Sequence, residues 1–298
     1  MEELHYITCI NSMMLRRVVN MTNTDLIYQR MCSDILENGY SDKDKKVRPV
    51  WPDDKSPAHT KKLFGVVNTY DLSKEFPILT IRKVPFKSCV DEILWIWQKK
   101  SNNVKDLNSH VWDSWADENG SIGKTYGYQL GVKHKYSEGE FDQVDRLLWL
   151  LKNNPEDRRM ITNMYNHHDL HEMALPPCVY ETLWVVTGDK LNLMLHQRSA
   201  DIIVAGGWNV TQYAALLCMI AHVTGYKPGI LKHEITNAHI YDRHESIAKE
   251  FISRENSYSA PKVWINPEVK SFYDFTTDDI KLEGYEYEPY TEKIPVAV

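Results

Sequence analysis

Cys178 follows two prolines in Leu175-Pro176-Pro177-Cys178, which restrict the backbone on its approach to the thiol. An isolated cysteine is more commonly a small buried packing residue than a nucleophile. Arg158 and Arg159 lie upstream, however, and Arg198 downstream. A cation brought beside a thiol lowers its pKa and favours the nucleophilic thiolate. Gln197-Arg198-Ser199-Ala200-Asp201 supplies a guanidinium and a hydroxyl suited to gripping a phosphate, or else a surface ion pair between Arg198 and Asp201. Asn209 offers a donor beside an acceptor, matching O4 and N3–H of a pyrimidine, or it caps a helix N-terminus. His239-Ile240-Tyr241 puts two polar rings on one side of an extended segment, as ligands for a sugar hydroxyl or as solvent-facing groups. Trp112-Asp113-Ser114-Trp115 can wall an aromatic ligand or pack a core, and Tyr126 in Tyr126-Gly127-Tyr128 is open to the same two readings.

These residues need elements to position them. Residues 41–60, rich in Lys, Asp and Pro, read as a loop that carries Arg48. Across residues 87–98 the apolar Val90, Ile93, Leu94 and Trp97 recur at helical spacing, which sets Glu92 beside a buried stripe and partly out of water. Two runs rich in Val, Leu and Trp flank Thr187-Gly188-Asp189-Lys190, predicting a β-hairpin over residues 181–199 with Cys178 just before its first strand. Residues 211–224 predict a core helix stopped by Gly225, with Pro228 shortly after. Strand and helix candidates intermix without the alternation of a doubly wound sheet or a Gly-rich phosphate loop, so the expected architecture is α+β.

Composition narrows the function. The 298 residues, 43% of them hydrophobic, can bury one large core, and no linker or internal repeat divides them. A net charge of -6 argues against a general polyanion binder, so nucleic acid is not an expected partner. Five cysteines without C-x-x-C spacing point to neither a disulfide framework nor a zinc site. That usage fits a reducing cytosol. Neither a signal peptide nor an apolar run of membrane-spanning length is visible. The expectation is a cytoplasmic protein with no metal and no membrane association.

Read in order, several segments closely resemble the thymidylate synthase family, in the form found in Bacillus and its phages. They are Asp91-Glu92-Ile93-Leu94-Trp95, Val111-Trp112-Asp113-Ser114-Trp115, Asp157-Arg158-Arg159, Met173-Ala174-Leu175-Pro176-Pro177-Cys178, Gln197-Arg198-Ser199-Ala200-Asp201 and Ala238-His239-Ile240-Tyr241. The resemblance runs from Asp25 to Val298 and leaves residues 1–24 as an N-terminal extension. It implies a single domain over residues 25–298, with a large mixed sheet packed by helices and a sheet face used for dimerisation. It also implies folate-dependent one-carbon transfer to C5 of dUMP. Cys178 would add to C6, and 5,10-methylenetetrahydrofolate would donate the carbon. Arg198, Ser199 and Arg48 would hold the 5'-phosphate, and Arg158 and Arg159 would reach it from the other subunit of a homodimer. Glu92 would order water and relay protons near O4, Tyr126 would help remove the C5 proton, and Asn209 would select uracil over cytosine. His239 and Tyr241 would bind the sugar. Trp112, Trp115, Asp201, Val204, Ala205, Trp208 and the Val298 terminus would face the folate.

The chain departs from the family pattern in places. Where the family has a segment ending Leu-Gly-x-Pro-Phe-Asn, this chain reads Val204-Ala205-Gly206-Gly207-Trp208-Asn209. Thr236-Asn237 replaces Gly-Asp before the His-x-Tyr motif, and Val179 follows the nucleophile, as in the Bacillus type. The methylene on C5 then has two fates, hydride giving dTMP or water giving 5-hydroxymethyl-dUMP, according to how dry the site stays. Reductive methylation is the expected outcome, because Trp112 and the terminal valine resemble the shielding elements. The glycine pair, by removing a proline, is expected to admit solvent and so to favour water. Two further readings are a non-catalytic nucleotide- or RNA-binding relative and a cysteine hydrolase with His239 as its base.

Overall fold

The computed structural model describes residues 21–298, so the expected extension at residues 1–24 lies outside the described residues up to residue 20. Helix α1 (Asn23–Asn38) starts where the Thr22 hydroxyl accepts the Asp25 N–H, and it buries Tyr28, Met31, Cys32 and Ile35 along one stripe. Strand β1 (Tyr40–Ser41) leads into the expected loop, then strand β2 (Thr60–Asp71). Helix α2 (Phe86–Trp97) matches the helix read from periodicity, but it is buried all round from Cys89 to Trp97, Asp91 and Glu92 included. A helix with no solvent face lies inside the core, so any carboxylate on it needs built-in partners.

A short helix α3 (Gly127–Gly131), a small hairpin of β3 (His134–Tyr136) and β4 (Gly139–Phe141), and helix α4 (Gln143–Asn153) precede strand β5 (Ile161–Asn163). The predicted hairpin forms from β6 (Val179–Thr187) and β7 (Lys190–Gln197), antiparallel. Its two-residue turn has Gly188 at φ +62°, a conformation that costs a residue with a Cβ. Strand β8 (Ala200–Asp201) and the single-turn helix α5 (Ile202–Ala205) lead to helix α6 (Trp208–Thr224). Helix α6 ends at Gly225 in the left-handed region as expected, but begins three residues before the predicted start. Strand β9 (Lys227–Tyr241), helix α7 (Glu245–Ser253) and a hairpin of β10 (Lys262–Ile265) with β11 (Ile280–Glu283) complete the described chain.

Seven strands form the main sheet in the order β1-β2-β9-β7-β6-β5, with β8 beside β9. The β9–β7 and β9–β8 pairs are parallel and the others antiparallel, which makes the sheet mixed. Along β7, Leu191, Leu193, Leu195 and Gln197 are buried while the residues between them are not. Helix α6 packs against β7 and β9, and α2 packs on α6, so the core lies between sheet and helices. The opposite face carries Val67, Ile161 and Val185 in the open.

Candidate active site

Cys178 sits at the entry to β6, half-buried and with a free thiol. Its neighbour across the β6–β7 hairpin is Arg198, whose main-chain N–H donates to the Cys178 carbonyl at 2.8 Å. The Arg198 guanidinium donates from Nε to the Pro177 carbonyl at 2.9 Å and from Nη2 to the Pro176 carbonyl at 2.7 Å. Nη2 also stands 3.7 Å from Cys178 Sγ. The two prolines thus expose carbonyls that a planar, forked cation can bridge, and the cation is thereby fixed beside the sulfur. Arg198 forms no ion pair with Asp201, so the surface-pair reading fails. Burial pushes the Cys178 thiol above its ordinary value, with Arg198 and the Tyr126 hydroxyl pulling against it. The expected net lowering by nearby cations is therefore corrected: desolvation outweighs the single guanidinium close to the sulfur.

Tyr126 approaches from another element. Its backbone has φ +40° and ψ -104°, a conformation that a side-chain-bearing residue holds only when its surroundings impose it. The Cys178 main-chain N–H donates to Tyr126 Oη at 3.0 Å. Trp112 lies edge-on against the Tyr126 ring at 5.2 Å and against Trp115 at 5.5 Å. The tryptophan pair thus serves the core and the site together, Trp112 being 8% exposed and Trp115 half-buried.

Glu92 is 7% exposed on α2. Trp112 Nε1 donates to its Oε1 at 2.7 Å, and Trp208 Nε1 donates to its Oε2 at 2.5 Å. Burial raises the proton affinity of the carboxyl, as expected, and the two indole donors oppose the rise. Gln212 faces the same carboxylate and favours its charged form, but its buried Nε2 completes no hydrogen bond.

Asn209 is not a helix cap. It lies inside the first turn of α6, and Gly207 occupies the cap position without a side-chain bond. Instead, Gln197 Nε2 donates to Asn209 Oδ1 at 3.2 Å and to the Ser199 carbonyl at 2.9 Å. A carbonyl only accepts, so the polarity of the Gln197 amide is set, and Gln197 Oε1 accepts from His233 Nε2 at 2.8 Å. Burial drives His233 down to about 3, so it stays neutral. Asn209 Nδ2 is left to donate, and Oδ1 retains a second lone pair, the pattern a uracil edge requires.

At the end of β9 the rings of His239 and Tyr241 lie 5.2 Å apart, as expected from an extended segment. Burial raises Tyr241 to about 12, and it feels the charges of Asp201 and Arg48. Arg48 is exposed on its loop. Two residues on, Val50 N–H donates to the Val298 carbonyl at 2.8 Å and Val298 N–H returns a bond to Val50 at 3.0 Å. The C-terminus is therefore clipped to the loop that carries Arg48. Asp201 Oδ1 accepts the N–H groups of Ile203 and Val204 and so caps α5, leaving Oδ2 with no partner among the described residues. Ser199, Val204 and Ala205 are half-buried beside it. Arg158 and Arg159 are exposed between α4 and β5, and Arg159 pairs with Asp157 at 2.8 Å. Within the single chain no hydrogen bond or ion pair among the described residues joins either of them to Cys178.

A thiol set beside a fixed guanidinium, a buried carboxylate and a polarised carboxamide can add to one face of a pyrimidine and manage its protons. The thymidylate synthase family profile matches residues 26–298. The chain belongs to the thymidylate synthase family. It is 48% identical over 271 residues to thymidylate synthase 1 of Bacillus subtilis strain 168, covering 90% of this chain and 96% of that one. Identity and coverage are the same against the thymidylate synthase of Bacillus phage phi3T. Against that of Clostridium beijerinckii, identity is 45%, over 87% of this chain and 94% of the other. The solved structure of the thermostable thymidylate synthase A of Bacillus subtilis superposes with a TM-score of 0.88 at 46% identity, covering 93% of this chain and all of that one. Membership bears out the resemblance and the α+β mixed-sheet fold. Among the described residues no group of His, Cys, Asp and Glu is arranged to hold a metal ion, and no helix is long and apolar enough to cross a membrane.

Sequence reasoning missed three connections: Gln197 to Asn209, His233 to Gln197, and Trp208 to Glu92. A signal existed for the first two. Gln197 and His233 each interrupt an otherwise apolar buried register, Leu191-Leu193-Leu195 on β7 and Leu231-Ile235 on β9. A polar residue at such a position needs a partner.

Proposed function

We propose that this chain methylates C5 of dUMP to give dTMP, with 5,10-methylenetetrahydrofolate as co-substrate and Cys178 as covalent catalyst. The observation that carries this reading is Cys178 Sγ 3.7 Å from a guanidinium that is itself locked onto the Pro176 and Pro177 carbonyls. Arg198 is the group placed to stabilise the thiolate when the thiol gives up its proton. The thiolate adds to C6 of the pyrimidine, and the electron pair moves through C5 to O4, where charge develops. Glu92 handles the proton at O4, a task that its burial, by raising its proton affinity, favours. Asn209 donates Nδ2–H to O4 and accepts N3–H, which selects uracil. Tyr126, at the Cys178 main chain, helps remove the C5 proton. His239 and Tyr241 hold the sugar, while Arg198, Ser199 and Arg48 hold the 5'-phosphate.

The free Oδ2 of Asp201, the Trp112–Trp115 wall and the clipped Val298 fit a folate ring, which Val204, Ala205 and Trp208 would also face. When bound, methylenetetrahydrofolate supplies the one-carbon unit and the hydride. The buried Gly207 supports the dry outcome rather than the wet one. A Cβ at Gly207 would meet Leu79 Cδ1 at 2.7 Å, so the glycine is in tight packing, not beside a solvent opening.

The exposed arginines and the uncovered sheet face support a homodimer in which Arg158 and Arg159 complete the phosphate site of the other subunit. Residues 25–298 are read as one catalytic domain, and the cytosol as its compartment. Weighing the nucleotide formed from dUMP and methylenetetrahydrofolate tests the reading. A methyl gain is expected, a hydroxymethyl gain overturns it, and Cys178→Ser should bind dUMP yet form no product.

A further inference from the structure

Glu92 takes one indole donor on each oxygen: Trp112 on Oε1 at 2.7 Å and Trp208 on Oε2 at 2.5 Å. The donors come from different elements, the turn before α3 and the first residue of α6, and both converge on α2. A carboxylate held by a single donor can still rotate, whereas donors on opposite oxygens fix its plane. The family pattern has phenylalanine where Trp208 stands, and a phenyl ring has no N–H. Gly207, where the family pattern has proline, precedes Trp208 and is packed against Leu79 and Val84. A Cβ at Gly207 would lie 2.7 Å from Leu79 Cδ1 and 3.1 Å from Val84 Cγ2, so a larger residue there would have to push these two side chains aside.

We propose that Trp208 is a positioning residue for Glu92: its indole N–H sets the plane of the carboxylate that handles protons at O4 of the pyrimidine. The proposal rests on the reading of Glu92 given above. Both indoles favour the ionised carboxylate over the acid, because each donates to an oxygen that carries charge. Removing one donor raises the pH at which Glu92 takes up a proton, so the acid limb of the kcat–pH profile moves upward. The other titratable groups facing Glu92 are Asp91 and Cys89 on α2, Tyr126 at the start of α3 and Tyr213 on α6. Cys89, Tyr126 and Tyr213 are pushed upward by burial and stay neutral through the acid range. Asp91 is engaged separately by Asn108 and Ser109.

Trp208→Phe keeps the ring and deletes the donor. The acid limb of kcat should rise by about one pH unit and kcat at neutral pH fall about tenfold, while the dUMP Kd stays within about twofold. An unmoved limb in a folded variant that binds dUMP overturns the role of Trp208. Product formation by the unsubstituted enzyme tests the parent reading separately. Should the variant not fold, the indole N–H resonances of the nine tryptophans decide. Two of them, those of Trp112 and Trp208, should lose a downfield displacement in Glu92→Gln. A response from one or none overturns the proposal.

Discussion

The Arg198 guanidinium reaches Cys178 Sγ at 3.7 Å with the same nitrogen that donates to the Pro176 carbonyl at 2.7 Å. The cation is therefore held by the backbone that delivers the thiol, and neither can shift alone. Arg198→Lys keeps the charge but loses the fork that spans two carbonyls. Each charge-assisted bond lost to a desolvated carbonyl costs about 1–3 kcal/mol, so kcat/KM for dUMP should drop about a hundredfold or more. The rate of Cys178 alkylation against pH reads the thiol directly. It should require higher pH in Arg198→Lys, and an unchanged profile would show that the guanidinium does not poise the sulfur.

Tyr126 accepts the Cys178 main-chain N–H from a backbone held at φ +40°. Tyr126→Phe leaves the ring packed on Trp112 and removes only the hydroxyl. Release of tritium from dUMP labelled at C5 should slow about 10²–10⁴-fold, with dUMP binding little altered. A loss of binding that matches the loss of rate would place Tyr126 in the scaffold rather than in proton removal.

Much of this site was legible because its chemistry sits at element boundaries that leave marks in the sequence. The Gly188-Asp189 turn predicts the hairpin that brings Arg198 back to Cys178, and Gly225 predicts the end of α6. Periodicity places Glu92 on a buried helix. What was not legible is contact across elements. That Trp208 donates to Glu92 depends on how α6 packs against α2, a contact between residues 116 positions apart that neither segment announces by itself. The net rise of the Cys178 thiol was likewise hidden, since charge can be counted along a chain but desolvation only in the packed fold.

The Ser199 carbonyl fixes the Gln197 amide, which in turn directs Asn209 Oδ1. Gln197→Glu replaces the donor by an acceptor. Asn209 then turns its amide to donate to Glu, presenting oxygen where O4 of uracil needs a donor. The preference for dUMP over dCMP, measured as the ratio of their dissociation constants, should narrow by about tenfold or more. An unchanged ratio would mean that Asn209 is oriented by the nucleotide alone.

His233 completes that chain of amides from a fully buried position, and burial depresses it from its ordinary 6.5 to about 3. In the unfolded chain it titrates near its ordinary value. Above that pH both states are neutral and the stability is intact. As pH falls from 6.5 towards 3, the unfolded state gains a proton that the folded state refuses, so stability is lost by roughly 1.4 kcal/mol per pH unit. His233→Gln preserves a donor for Gln197 Oε1 but does not titrate. Its melting temperature should therefore fall less steeply than that of the unsubstituted protein between pH 6 and about pH 4. His239, also lowered by burial, remains in both proteins and drops out of the comparison. Parallel curves would show that protonation of His233 does not contribute to acid unfolding, and that its bond to Gln197 survives the charge.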